Sequence, residues 1–178
     1  TFDGWYSDAG YDHLLSTEQT YEYVPLGPLR HIYPVFMPGE IQLDALNTAN
    51  CYIAPEFLHD YSFDATVQGN GCATLNIMPQ RLSGAYARLI WETGTQANSV
   101  ISSLGYDGSR IRFRTGIQQG NALIGLFNAG GECVWSWHIW VANYDPESSA
   151  QKYSSGDIFM DRNLGAVGTD YTKVSACG

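Results

Sequence analysis

Nine consecutive residues, Cys133–Val141 (CVWSWHIWV), constrain the fold of this chain more than any other stretch. They hold three of its 5 tryptophans, Trp135, Trp137 and Trp140. A strand sends successive side chains to opposite faces, so Trp135, Trp137, Ile139 and Val141 share one face and Val134, Ser136, His138 and Trp140 the other. Large apolar groups on both faces predict a central strand with material packed on each side. The same indoles are the first candidates for a binding surface.

Short strands and regular turns precede it. Asn50–Pro55 reads as a strand, entered through a turn or short helix over Ile41–Ala49. Tyr61–Gln68 alternates most cleanly. Tyr61, Phe63, Ala65 and Val67 oppose Ser62, Asp64, Thr66 and Gln68, predicting one buried and one wet face up to a break at Gly69-Asn70-Gly71. Ala85–Glu92, Ser99–Leu104, Arg110–Thr115 and Ala122–Phe127 follow, separated by Thr93-Gly94, a hairpin turn at Tyr106–Ser109 and Ala129-Gly130-Gly131. On this reading Cys133–Val141 closes a hairpin series and acts as its structural spine. No convincing helix exceeds one or two turns, so the predicted class is all-β, an antiparallel β-sandwich with a small partial β-repeat at the N-terminus.

The partial repeat spans residues 1–37, the sandwich 38–144 and the beginning of a C-terminal module 145–178. FDGWYSDAG (Phe2–Gly10) predicts an aromatic strand running into an Asp-Ala-Gly turn. Polar residues, TYEYV (Thr20–Val24), a turn at Pro25–Pro28 and a closing strand HIYPVF (His31–Phe36) follow, up to the boundary Met37-Pro38-Gly39. Two or three strands in so short a segment are too few for an independent core.

Charge narrows the partners. The 9 Lys and Arg against 18 Asp and Glu give a net charge of −9. Nucleic acid and anionic membranes are excluded as main partners, because phosphate contacts need clustered cations. No stretch has the length of a membrane-spanning helix and no signal peptide is present; without an initiator Met, the chain reads as an excerpt of a longer protein. Cys51, Cys72, Cys133 and Cys177 lack the close pairs of a zinc site, so neither metal nor cofactor is expected. The order Cys51, Trp91, Cys133 invites an immunoglobulin reading, but 82 residues separate the two cysteines, many for that fold's bridge. Buried free thiols are the expectation, and one disulfide in an oxidising compartment is the alternative.

Two resemblances add to this. FDGWYSDAG followed by an aromatic strand resembles the second half of a Listeria–Bacteroides repeat, the small β-rich repeat also found in internalins, over about a fifth of the chain. Its usual ending, like LYAKW, is replaced by HIYPVF, and the first half of the repeat is absent. Further on, ANCYIAP, YSFDATVQGNG, ARLIWET, VISSLGYDGSRIRFRTG, GNALIGLFNAGGECVWSWHIWVANYDP and MDRNLGA occur in order over Ala49–Gly178. Together they resemble the all-β surface domain of Bacteroidota cell-surface and fimbria-associated proteins, which often precedes a Fibrobacter succinogenes major paralogous domain. In that family MDRNLGA opens an aromatic, basic stretch resembling GLYYQWGRKDPF; this chain stops at Ala176-Cys177-Gly178.

Candidate ligand-binding residues lie on two strand faces. A sugar-stacking platform needs exposed rings. Alternation with Ile139 and Val141 assigns Trp135 and Trp137 to the core, which leaves Ser136, His138 and Trp140. No Gly-x-Ser-x-Gly elbow or paired carboxylates accompany His138, so no catalytic residue is assigned and a buried histidine bonded to backbone is expected. Arg110, Arg112 and Arg114 recur at period 2 opposite Ile111, Phe113 and Thr115. They form either a patch for an acidic glycan or partner carboxylate, or a solvated face paired with neighbouring acids. Acidic residues of the last third show no EF-hand spacing, and Asp161 with Arg162 is expected in a fixed local turn.

The resemblances imply a non-catalytic, exported, outer-membrane-anchored surface module of a Bacteroidota-type bacterium, acting as spacer or adhesin. Its partners would be other surface modules or host and environmental glycans. The alternative is a carbohydrate-binding module using the Trp-rich strand.

Overall fold

The computed structural model describes residues 2–10, 12–22, 31–36, 39–69 and 78–170. Cys72, Cys177, the Pro25–Pro28 turn and the Asn70-Gly71 break lie outside the described residues. The chain divides into two compact units, Thr1–Gly39 and Glu40–Gly178.

In the first unit, β1 (Phe2–Tyr6) is flanked by β2 (Leu14–Ser16) and β3 (Tyr33–Phe36), both antiparallel to it. The turn after β1 is organised by one carboxylate: Asp8 accepts from the backbone N–H groups of Gly10, Asp12 and His13. Those bonds, led by the one from Asp12, hold the Asp8 carboxyl below its usual range. The three-residue strand β2 was not anticipated, because LLS is too short to show a period. Thr20–Glu22 carry no strand, and the rest of TYEYV lies outside the described residues.

Among its described residues the second unit is all-β apart from one four-residue helical turn, α1 (Pro146–Ser149). Its strands are β4 (Ile41–Gln42), β5 (Cys51–Ala54), β6 (Asp60–Asp64), β7 (Tyr86–Glu92), β8 (Ile101–Tyr106), β9 (Arg110–Thr115), β10 (Gly120–Phe127), β11 (Cys133–Val141), β12 (Gln151–Lys152) and β13 (Ile158–Phe159). They form two four-stranded sheets, β5-β11-β10-β7 and β4-β6-β9-β8, with β12-β13 as a small hairpin. Pairing is antiparallel except at two edges, where β5 runs parallel to β11 and β4 parallel to β6. Lettered in chain order, with β4 as A and β5 as A′, the sheets read A-B-E-D and A′-G-F-C. That is the strand order of an immunoglobulin-type sandwich with an added A′ strand. The cysteines sit on A′ and G rather than on B and F, and Cys51 and Cys133 are free. Of the two, Cys51 is half-buried and Cys133 exposed, so the expected burial fails for Cys133 at the mouth of its strand.

Alternation is the physical cause of the core. Trp137, Ile139 and Val141 of β11 face Ile124 and Leu126 of β10 within one cluster that also takes Tyr61, Phe63, Ile111 and Phe113 from the other sheet. The predicted wet face of β6 is an exception at Ser62, which is buried because its hydroxyl donates to Glu40 and accepts from Arg110. The strand also ends at Asp64 rather than Gln68: the Asp64 carboxylate captures the Thr66 N–H and hydroxyl, turning the chain out of the ladder.

β11 is an interior strand, as its two apolar faces predict: it pairs with β10 on one side and β5 adds in parallel on the other. Its second face is covered as well. Trp140 packs with Ile53, Ala142 and Tyr144 in a second cluster, and the loop around Gly165 binds back to Asn121.

Candidate functional site

The outer face of β11 gathers the singled-out residues around His138. The Cα register sets His138 beside Leu123 of β10 and Cys51 of β5, with Trp140 beside Asn121 and Ile53. Backbone pairing fixes the ring's position, since His138 N–H donates to the Asn50 carbonyl at 2.9 Å. The imidazole Nδ1 lies 3.1 Å from Cys51 Sγ, and Nε2 lies 2.8 Å from Asn121 Oδ1. Asn121 Nδ2 in turn donates to the Gly165 carbonyl at 2.9 Å. The ring is therefore held by two side chains rather than by the backbone contact expected from sequence.

Burial decides the charge state. Loss of hydration pushes the Cys51 thiol up to about 11 and pulls the His138 imidazole down. The resting pair is a neutral thiol and a neutral imidazole, the opposite of the thiolate–imidazolium pair of cysteine peptidases. Cys51 and Asn121 escaped the sequence reading because they lie 87 and 17 residues from His138. The only local hint was a polar Asn121 at the mouth of an apolar strand.

Trp140 and Ser136 behave differently. Trp140 has 0% of its surface exposed, covered by Tyr144, whose ring centroid lies 5.0 Å away. A ring without exposed surface offers no face to a sugar, so Trp140 does not supply the stacking surface of the alternative reading. Ser136 stands half-buried opposite Gly125. Tyr144 is capped by the Arg162 guanidinium, 4.1 Å from its ring centre, and Arg162 is gripped by Asp161 at 2.9 and 3.0 Å. Burial, then the nearby Asp161 carboxylate, push the Tyr144 phenol up, although its hydroxyl makes no hydrogen bond of normal geometry to that carboxylate.

On the other sheet, the three arginines of β9 are already engaged. Arg110 grips Asp44 through both terminal nitrogens, at 2.6 and 3.2 Å, and also reaches Ser62. Arg112 binds Glu40 at 2.9 Å and also Asp107; Arg114 binds Asp60 at 2.9 Å. Burial pushes Asp44 up, but the bond from Arg110 and the Asp64 N–H outweigh it and leave it below the usual range. Asp107 is held far below that range, first by the Arg110 N–H and then by Arg112.

No family model, no curated protein and no solved structure matches this chain.

Aromatic surface does reach solvent on β7. Tyr86, Arg88, Ile90 and Trp91 point away from the core; Tyr86 is 39% and Trp91 45% exposed. Tyr86 stacks on Phe127, and Arg88 covers the same ring at 4.2 Å. Trp91 thus occupies strand C but faces outward, while Trp137 of strand G takes the core position. Among the described residues no three His, Cys, Asp or Glu side chains are placed to hold a metal ion, and no helix is long and apolar enough to cross a membrane.

Proposed function

We propose that this chain is a non-catalytic module of an exported, surface-anchored protein of a Bacteroidota-type bacterium, serving as a spacer or adhesive unit. The observation that carries the reading is how fully each sheet uses its own polar groups. The arginines of β9 are taken up by Asp44, Glu40, Asp107 and Asp60, and Arg162, beside the other sheet, by Asp161. Such self-pairing suits a rigid unit in a series better than a reaction centre, which needs charged or unpaired groups turned toward substrate. The ordered resemblance over Ala49–Gly178 supports the surface location. Antibodies against this chain should label intact cells of the producing organism; labelling only after lysis would sink the proposal.

The glycan-binding alternative draws support from a different strand than the sequence indicated. Tyr86 and Trp91 of β7 present exposed rings on this sheet, whereas Trp140 of β11 presents none. Glycan-array binding abolished by Trp91→Ala would establish it, whereas absence of binding to any glycan leaves the spacer reading alone.

A further inference from the structure

The hydrogen bonds around His138 run in one direction. Asn121 Nδ2 donates to the Gly165 carbonyl, so its Oδ1 faces His138 Nε2 and accepts from it. Nε2 therefore carries the imidazole proton and Nδ1 keeps its lone pair. The donor facing Nδ1 is the Cys51 thiol, at 3.1 Å. A weak nucleophile bonded to a base, with the base oriented by a third group, is the arrangement that activates nucleophiles in covalent chemistry.

Cys51 is half-buried on β5, which among the described residues is the end strand of its sheet. On this face Ile53 follows Cys51 along β5 and Leu123 stands on the far side of His138, both apolar. Among the described residues, the titratable groups on the outer face of this sheet are Cys51 from β5, Cys133 from β11, Tyr86 and Arg88 from β7, and Tyr144, Asp161 and Arg162 from the segment after β11. β10 contributes only the non-titrating Asn121.

We propose that Cys51 is a base-assisted thiol that small uncharged disulfides convert to a mixed disulfide, with His138 as proton acceptor and Asn121 as positioning residue. The Cys51 sulfur attacks one sulfur of the reagent while its proton passes to His138 Nδ1. A new Sγ–S bond forms, the reagent's S–S bond breaks, and the leaving thiolate recovers the proton from Nδ1. Cys51 is oxidised to the disulfide level, half of the reagent is reduced to a thiol, and His138 ends neutral. The inference is independent of the spacer reading, since the modification is stoichiometric rather than catalytic. Apolar flanks and the neutral resting pair favour uncharged reagents, because no counter-charge is waiting.

The experiment treats the chain with 2-hydroxyethyl disulfide and locates adducts by peptide mass mapping, with exposed Cys133 as the internal reference. The Cys51 rate should rise to a plateau once the imidazole is neutral, whereas an unassisted thiol climbs with pH toward about 11. In His138→Gln, checked for native near-ultraviolet dichroism, Cys51 should react on the order of 100-fold more slowly while Cys133 is unchanged. If that variant does not fold, the wild-type pH profile decides. Labelling of Cys133 without Cys51, a wild-type rate that climbs without a plateau, or a folded His138→Gln reacting at the wild-type rate overturns the proposal.

Discussion

Phe63 of β6 and Trp137 of β11 meet across the two sheets, their ring centroids 5.2 Å apart and their planes tilted by 52°. This contact joins strands B and G at the centre of the sandwich. Trp137→Ala should cost about 3–5 kcal/mol, because both the transfer energy and the cavity are lost. Trp137→Phe should cost only roughly 1–2 kcal/mol, since the buried indole N–H has no hydrogen-bond partner to lose. Urea unfolding of the two variants checks the order.

The passage from β7 to β8 carries the chain from one sheet to the other and is stitched by one side chain. Glu92 accepts from the backbone N–H groups of Ser99, Val100 and Ile101 at 3.2, 3.1 and 2.9 Å. Glu92→Ala strands these donors and should cost about 2 kcal/mol in the same assay. A neutral result would mean that water replaces the carboxylate freely.

The arginines of β9 should rank by burial. Arg110 and Asp44 are only 22% and 10% exposed, so Arg110→Ala, which leaves Asp44 and Ser62 without their partner, should lose about 1–3 kcal/mol. Arg112 is 48% exposed beside Asp107, and Arg112→Ala should change stability by about 0–1 kcal/mol. Equal losses would show that exposure does not set the worth of these pairs.

Stability should depend on pH through His138. Its folded-state pKa is lowered by burial, so the unfolded chain binds the proton more readily. The contribution is full above the unfolded imidazole value of about 6.5 and is lost as pH falls below it toward the folded value. Urea midpoints of the wild type should therefore drop on mild acidification, in a range where the lowered Asp44 still holds its charge. A folded His138→Gln should flatten this part of the curve; an unchanged slope would assign it to another group.

Gly165 has a positive φ of +87°, and a Cβ there would stand 2.7 Å from Asn121 Oδ1 and 3.5 Å from His138 Cε1. Gly165→Ala should destabilise by about 1 kcal/mol or more and displace Asn121 from the ring. Histidine NMR should then show the Nε2–H tautomer of His138 disturbed, while a spectrum identical to wild type would refute the orienting role of this loop.

The sequence by itself determined strands β5 to β11 and the two-sidedness of β11, but not β4, which stands where a turn or short helix over Ile41–Ala49 was expected, nor β12. Period 2 and turn chemistry are local, and they placed Trp135, Trp137, Ile139 and Val141 together and the arginines of β9 on one face. Only the tertiary structure decided what those faces meet. Trp140 is buried because a later segment folds back with Tyr144 and Arg162, and the β9 arginines are paired because Glu40, Asp44 and Asp60 arrive from strands and turns far away in the chain. Cys51 joins His138 because β5 adds in parallel beside β11, a pairing that spans 87 residues. Alternation reports which face of a strand is apolar; it carries no information about the neighbour, since strand order depends on long-range packing and chain closure.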